Sequence, residues 1–191
     1  MTGKITALDL VQAELSEATK AYFAKCQEKL GLVPNVLLAY AFDEKKLRSF
    51  TDMYNDLMLG ESGVSKLERE MIAVVVSSIN HCFYCLTAHG AAVRQLSGDP
   101  SLGEMMVMNF RAAELSERQK AMLEFALKVA LRSAELVDAD FEALREHGFA
   151  DEDIWDIGGI AAFYALSNRM ANLIAMRPND EFHLLGRVLR G

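Results

Sequence analysis

Several things are scarce in this chain, and each scarcity removes a class of protein. Three cysteines in 191 residues are too few for the disulfide framework of a small secreted domain. No apolar run reaches the ~18 residues that a membrane-crossing helix needs. The opening MTGKITALDL carries no apolar h-region of a secretory signal, so a cytoplasmic location is expected. Positive charge is also short: 20 Lys and Arg against 27 Asp and Glu leave a net charge of −7, which disfavours nucleic acid and anionic membrane as partners. No segment reads as a convincing strand, and the expectation is an all-α fold.

Apolar residues, by contrast, are plentiful. They make up 51% of the chain and include ten Met, more than a small monomer readily hides, so a homo-oligomer is expected. The length allows one all-helical domain over residues 1–191, with N-terminal helices in 1–60, a motif-bearing half in 61–110 and a second helical half in 111–191.

Capping residues punctuate the helices. Val11 to Leu30 reads as a helix closed by Gly31, Pro34 opens a short one through Phe42, and Asp43 caps Glu44 to Leu59, ending at Gly60. Ser65 with Glu68 forms a capping box, and Asn80 is predicted to be the N-cap of a helix from His81 through Leu96 to Gly98. Met105, Met106 and Met108 mark a short helix of core filler. Ser116 with Gln119 repeats the capping box at an offset of 51 residues, an echo that pairs Met71 with Met122 and Ile72 with Leu123 and places Ala121 opposite Glu70. Asp138 and Asp151 are expected to cap two more helices, the second buried on all sides from Ile157 to Leu166. Asn168 and Arg169, just beyond that middle, read as a solvated helix end rather than an interface pair or a site lip, and a short helix after Pro178 carries Arg187 and Arg190.

The chemistry gathers in EMIAVVVSSINHCFYCLTAH, from Glu70 to His89. Cys82, Cys85 and His89 fall at helical spacings of three and four, so they share one face. On a straight helix Glu70 and His89 would be roughly 28 Å apart, at ~1.5 Å per residue. A turn near Asn80 instead folds the segment into an antiparallel hairpin in which the two meet, giving a carboxylate, imidazole and thiol relay. Zinc is the first competitor for a C-x-x-C pair with a nearby His, but His147 and His183 lack ligand-like spacing and no second pair exists, so no metal is expected. Cys26 stands alone in a helical stretch and reads as packing. The bland reading makes Glu70 a surface partner of Lys66 and His89 a satisfied helix histidine; four residues together at this spacing outweigh it.

With those residues the chain resembles the alkylhydroperoxidase D family of the carboxymuconolactone decarboxylase-like superfamily, especially its peroxidase-related branch. The family pattern of Glu, eleven residues, Cys, two residues, Cys, three residues, His is complete as Glu70, Cys82, Cys85 and His89. The likeness extends from VPNVLLAYAF through LMLGESGVSKLEREMIAVVVSSIN and CFYCLTAHGA to AAFYALSNRMAN. It implies an all-helical thiol peroxidase acting on small organic hydroperoxides or hydrogen peroxide, with no prosthetic group. It further implies a trimer or hexamer reduced by a thiol donor of thioredoxin-like or lipoyl type.

Carried over by position, Cys85 would attack the peroxide, Cys82 would resolve the sulfenic acid as a Cys82–Cys85 disulfide, and His89 would act as base, supported by Glu70. Where some members have His between the cysteines this chain has Tyr84, which could donate a hydrogen bond to a thiolate or simply pack. The helix dipole favours Cys82, about two residues into its helix, as the more acidic thiol; a close His89 favours Cys85, and the larger effect sides with Cys85. Two other classes compete. A lactone decarboxylase-like enzyme would work without the thiol pair, and a redox-responsive binding or stress protein would use the disulfide only to change its affinity.

Overall fold

A computed structural model describes residues 4–187. Their secondary structure is helical throughout, with no strand among the described residues. Nine α-helices follow in order: α1 Glu17–Leu30, α2 Asn35–Tyr40, α3 Glu44–Leu59, α4 Lys66–Ile79, α5 Phe83–Ser97, α6 Pro100–Asn109, α7 Glu117–Arg132, α8 Asp138–Glu146 and α9 Asp151–Leu173. Helix α4 is the hub. It packs against α5, α6, α7 and α9, and its Met71, Ile72, Ala73, Val74, Val75 and Val76 are buried, as a helix apolar on every face requires.

Local chemistry sets most of these boundaries. Both capping boxes form: the Ser65 hydroxyl accepts the Glu68 amide while the Glu68 carboxylate takes the Ser65 amide, and Ser116 and Gln119 do the same. Asp43 caps α3 by accepting from the Lys46 amide. Buried Arg69 then fastens the α3–α4 loop by donating to the carbonyls of Leu57, Gly60 and Val64. Each replaces water lost to a polar group on burial.

Several expected boundaries differ. Helix α1 begins at Glu17 rather than near Val11, because Ser16 is its N-cap and is tied to Glu44 across to α3. Pro34 sits at the N-cap of α2. Asp138 and Asp151 are first-turn residues rather than caps, and Asp140 and Asp153 take the free amides of Val137 and Ala150. Helix α9 does not stop before Asn168 but runs on to Leu173, and its middle is not enclosed all round, since Leu166 remains 57% exposed. In α6, Met106 is core, but Met108 is 80% exposed. Beyond Pro178 the described residues form only a 3-10 turn, Asp180–His183, in place of the expected short helix; Arg187 pairs with Glu104, and Arg190 lies outside the described residues.

The ends of α4 and α9 are built alike. After α4, His81 adopts φ 50° and the Cys82 amide reaches back to the Ser77 carbonyl; after α9, Ala175 adopts φ 47° and the Met176 amide reaches back to the Ala171 carbonyl. This is the left-handed helix stop that normally carries glycine. Relieving the Cβ clash should therefore outweigh the added chain entropy, and Ala175→Gly is expected to raise unfolding stability by about 0.5–1 kcal/mol in denaturant titrations. An unchanged or lower value would mean that the residue is not strained.

Candidate active site

The hairpin exists, but its hinge is not the one expected. Asn80 is the C-cap of α4, not the N-cap of α5; His81 makes the reversal, and Cys82 occupies the N-cap position of α5, one residue ahead of its first turn. Asn80 is spent inward instead, its side-chain amide donating to the Val76 carbonyl and to Asn168 Oδ1 at 3.1 Å.

The reversal brings Glu70 and His89 together. Nδ1 of His89 lies 2.6 Å from Glu70 Oε2, with both side chains largely shielded from solvent. A neutral ring that donates from Nδ1 keeps Nε2 as its free acceptor. Tyr164 of α9 supports the ring edge-on at 4.6 Å between centroids, its hydroxyl 3.5 Å from Nδ1. Burial and the neighbouring Glu70 push the Tyr164 hydroxyl well above its ordinary range, and the same two causes act on Tyr54, so both face the carboxylate as neutral phenols.

Cys82 and Cys85 are free thiols, both buried, in a small apolar cluster with Tyr84, Ala171 and Met176. They titrate as a pair. Cys82 is pulled down to about 7, first by the hydrogen bond from the Cys85 thiol and, against the cost of burial, by the Cys85 amide, Asn168 and the His89 ring. Cys85 is pushed well above its ordinary value because it keeps the proton it donates, and burial and the charge on Cys82 add to this; Asn168 and Ser167 oppose the rise. Of the two thiols, Cys82 is therefore the one that ionises first. The expectation that His89 would make Cys85 the more acidic thiol is corrected: the Cys85 thiol and then the Cys85 amide act on Cys82, and the ring acts there too.

Ser167 was not singled out from the sequence, and the expectation that Asn168 is part of a solvated helix end is corrected. Ser167 and Asn168 sit on the face of α9 that meets the sulfurs, and Asn168 is 0% exposed. Its orientation follows from its partners. Ser77 donates to the Ala73 carbonyl at 2.6 Å, so its oxygen must accept from Asn168 Nδ2, 2.9 Å away, while Asn168 Oδ1 accepts from Asn80. The amide end of Asn168 is thereby committed to the sulfur side. Only its position shortly after a run of buried apolar residues hinted at this. Arg169, as expected, is exposed and bonded within its own helix.

Tyr84 takes the packing alternative. Its buried hydroxyl accepts the Val36 amide at 3.1 Å and ties α5 to α2. Cys26 is half-buried and pushed up by desolvation, as a packing thiol should be. Among the described residues no group of three or more His, Cys, Asp or Glu is arranged to hold a metal ion. No helix among them is long and apolar enough to cross a membrane.

The charge on Cys82 predicts a thiolate that is present above about pH 7 and reprotonates below it, readable by ultraviolet absorbance. Asn168→Ala should move that midpoint upward by roughly one pH unit, the worth of one hydrogen bond to a charged group. A midpoint that stays put would remove Asn168 from the sulfur site.

Comparisons with known proteins agree with this architecture. The sequence profile of the Carboxymuconolactone decarboxylase family matches residues 44–101. No curated protein matches the chain significantly. Among solved structures, an uncharacterized peroxidase-related protein from Silicibacter sp. TM1040 is 63% identical with a TM-score of 0.93, and 97% of each chain is covered. An alkylhydroperoxidase AhpD core, described as an uncharacterized peroxidase-related protein from Ralstonia eutropha JMP134, is 47% identical with a TM-score of 0.94 over 99% of this chain and 100% of that one. The debrominase Bmp8, 18% identical with a TM-score of 0.75 over 95% of each chain, shares the fold. Identity at this level over nearly the whole length places the chain in the alkylhydroperoxidase D-like, peroxidase-related branch of the carboxymuconolactone decarboxylase-like superfamily.

Proposed function

We propose that the protein is a thiol-dependent peroxidase that reduces hydrogen peroxide or small organic hydroperoxides through Cys82 and Cys85. The observation that carries this reading is the pair of buried free thiols beside an imidazole held by a carboxylate. A thiolate is the reactive form of cysteine, and a fixed ring is a base for the proton that must move.

The steps balance as follows. Cys85 passes its proton to Cys82 along their hydrogen bond. The Cys85 thiolate, held by Asn168 and Ser167, attacks the terminal peroxide oxygen; the O–O bond breaks, Cys85 becomes a sulfenic acid, and the departing alkoxide takes the proton from Cys82. The renewed Cys82 thiolate attacks the Cys85 sulfur, forming the disulfide and expelling hydroxide, which takes up a proton through His89. Two thiols lose two electrons and the peroxide becomes alcohol and water. An external dithiol, of thioredoxin-like or lipoyl type, then restores the pair. A low-pKa Cys82 suits the resolving step, since it ionises near neutral pH and is also the better leaving group during reduction.

Cys85→Ser should abolish peroxide consumption, whereas Cys82→Ser should still consume about one equivalent per chain before stopping; mass spectrometry of the sulfenic acid locates the attacked sulfur. Full turnover in Cys85→Ser would refute the reading.

The proposal includes a homo-oligomer. Trp155, Leu166 and Leu173 project from the outer side of α9, 80%, 57% and 69% exposed. Mass in solution should correspond to a multiple of 21.2 kDa, and Leu166→Glu should lower it.

A further inference from the structure

Beside the thiol pair lies an open cavity of about 650 Å³ whose walls come from the His81 turn, the start of α5, the end of α9 and the 3-10 turn. Tyr84, Ala171 and Met176 belong both to its lining and to the apolar cluster that contains Cys82 and Cys85, so the cavity borders the cluster that holds the sulfurs. The two non-glycine residues with positive φ among the described residues, His81 and Ala175, also line it. Backbone strain collected at one cavity marks a place that the fold holds open at a cost.

The far wall is anchored rather than loose. Asn179 Oδ1 accepts the Asn35 amide, the Asn35 side chain donates to the Arg177 carbonyl at 2.9 Å, and the Arg177 amide donates to Ile5. Buried Arg94 holds the 3-10 turn by donating to the carbonyls of Phe182 and Leu185. Arg177 is thus fixed by its backbone on both sides, while its guanidinium makes no ion pair or side-chain hydrogen bond among the described residues. Around it the lining is apolar and aromatic: Met176, Pro178 and the ring of Phe83, 62% exposed and tilted against His183 at 6.0 Å between centroids. His81 and His183 complete the polar part of the lining, and Asp180 is the one carboxylate in it.

We propose that this cavity binds an amphiphilic carboxylate, its head on the Arg177 guanidinium and its chain along Phe83, Pro178 and Met176. Resting on the peroxidase reading, it makes the preferred oxidant an organic hydroperoxide that carries a carboxylate. A planar guanidinium pairs with a carboxylate by two parallel hydrogen bonds, and the apolar wall leads the chain toward the sulfurs.

Calorimetric titration of the full chain with octanoate and with methyl octanoate tests the cavity without any turnover. Octanoate is expected to bind about tenfold more tightly than the ester, Arg177→Ala to abolish that difference while leaving ester binding unchanged, and Asp180→Asn to enlarge it. Equal binding of acid and ester to the unaltered protein, or an unaltered preference in Arg177→Ala, overturns the proposal. In peroxide assays with a fixed reductant, the hydroperoxide of linoleic acid should have a KM below that of its methyl ester, and Arg177→Ala should raise the KM for the acid alone, with tert-butyl hydroperoxide unaffected. Equal KM values overturn the oxidant assignment. Failure of all three peroxides would instead strike the peroxidase reading, while the octanoate result still decides the cavity.

Discussion

The hydrogen bond between Glu70 and His89 constrains everything around it. The two residues are nineteen positions apart, and a 2.6 Å contact between them exists only because the chain reverses within three residues, Asn80 to Cys82. That reversal requires His81 to enter a left-handed conformation, and it leaves Cys82 at the start of a helix rather than inside one. Position, protonation and access of the sulfurs all descend from it. A glycine at 81 would make the turn more cheaply; the imidazole there lines the cavity instead.

Around this turn the core is apolar yet threaded by a short polar string, Asn172 to the Asn80 carbonyl, Asn80 to Asn168, and Asn168 to Ser77. Among the described residues every buried side-chain nitrogen and oxygen finds a partner. A string of this kind is valuable only when complete, because one unpaired buried amide costs about 1–3 kcal/mol. Here it is complete, and it fixes which end of Asn168 meets sulfur. The Tyr84 hydroxyl is tied down in the same way, accepting the Val36 amide at the start of α2.

Much of this was legible in the sequence, and the parts that were not share a cause. Both capping boxes, the hairpin and the meeting of Glu70 with His89 follow from local spacing, because three- and four-residue periodicity survives any tertiary environment. Asn80 was misread because Asn suits either end of a helix, and only the φ of His81 distinguishes them. The part of Asn168 depends on partners 83 to 86 residues away along the chain, Cys85 and Cys82, from a helix whose own pattern points only to burial. Similarly, Asp138 and Asp151 look like caps in isolation, and it is the aspartates two residues later that reach the open amides.

Helix α9 serves several masters at once. Tyr164, Ser167 and Asn168 occupy its inner face at the imidazole and the sulfurs, its last turn frames the cavity, and Leu166 and Leu173 lie on its outer side. A helix behaves as a stiff rod, so the inner and outer faces cannot shift independently. Closing two sulfurs from contact to covalent distance must displace something by an ångström or so, and the rod is the nearest neighbour able to move as one body. Such a movement would be registered on the outside of the molecule, and by linkage any pressure from the outside would be felt at the sulfurs to the same degree.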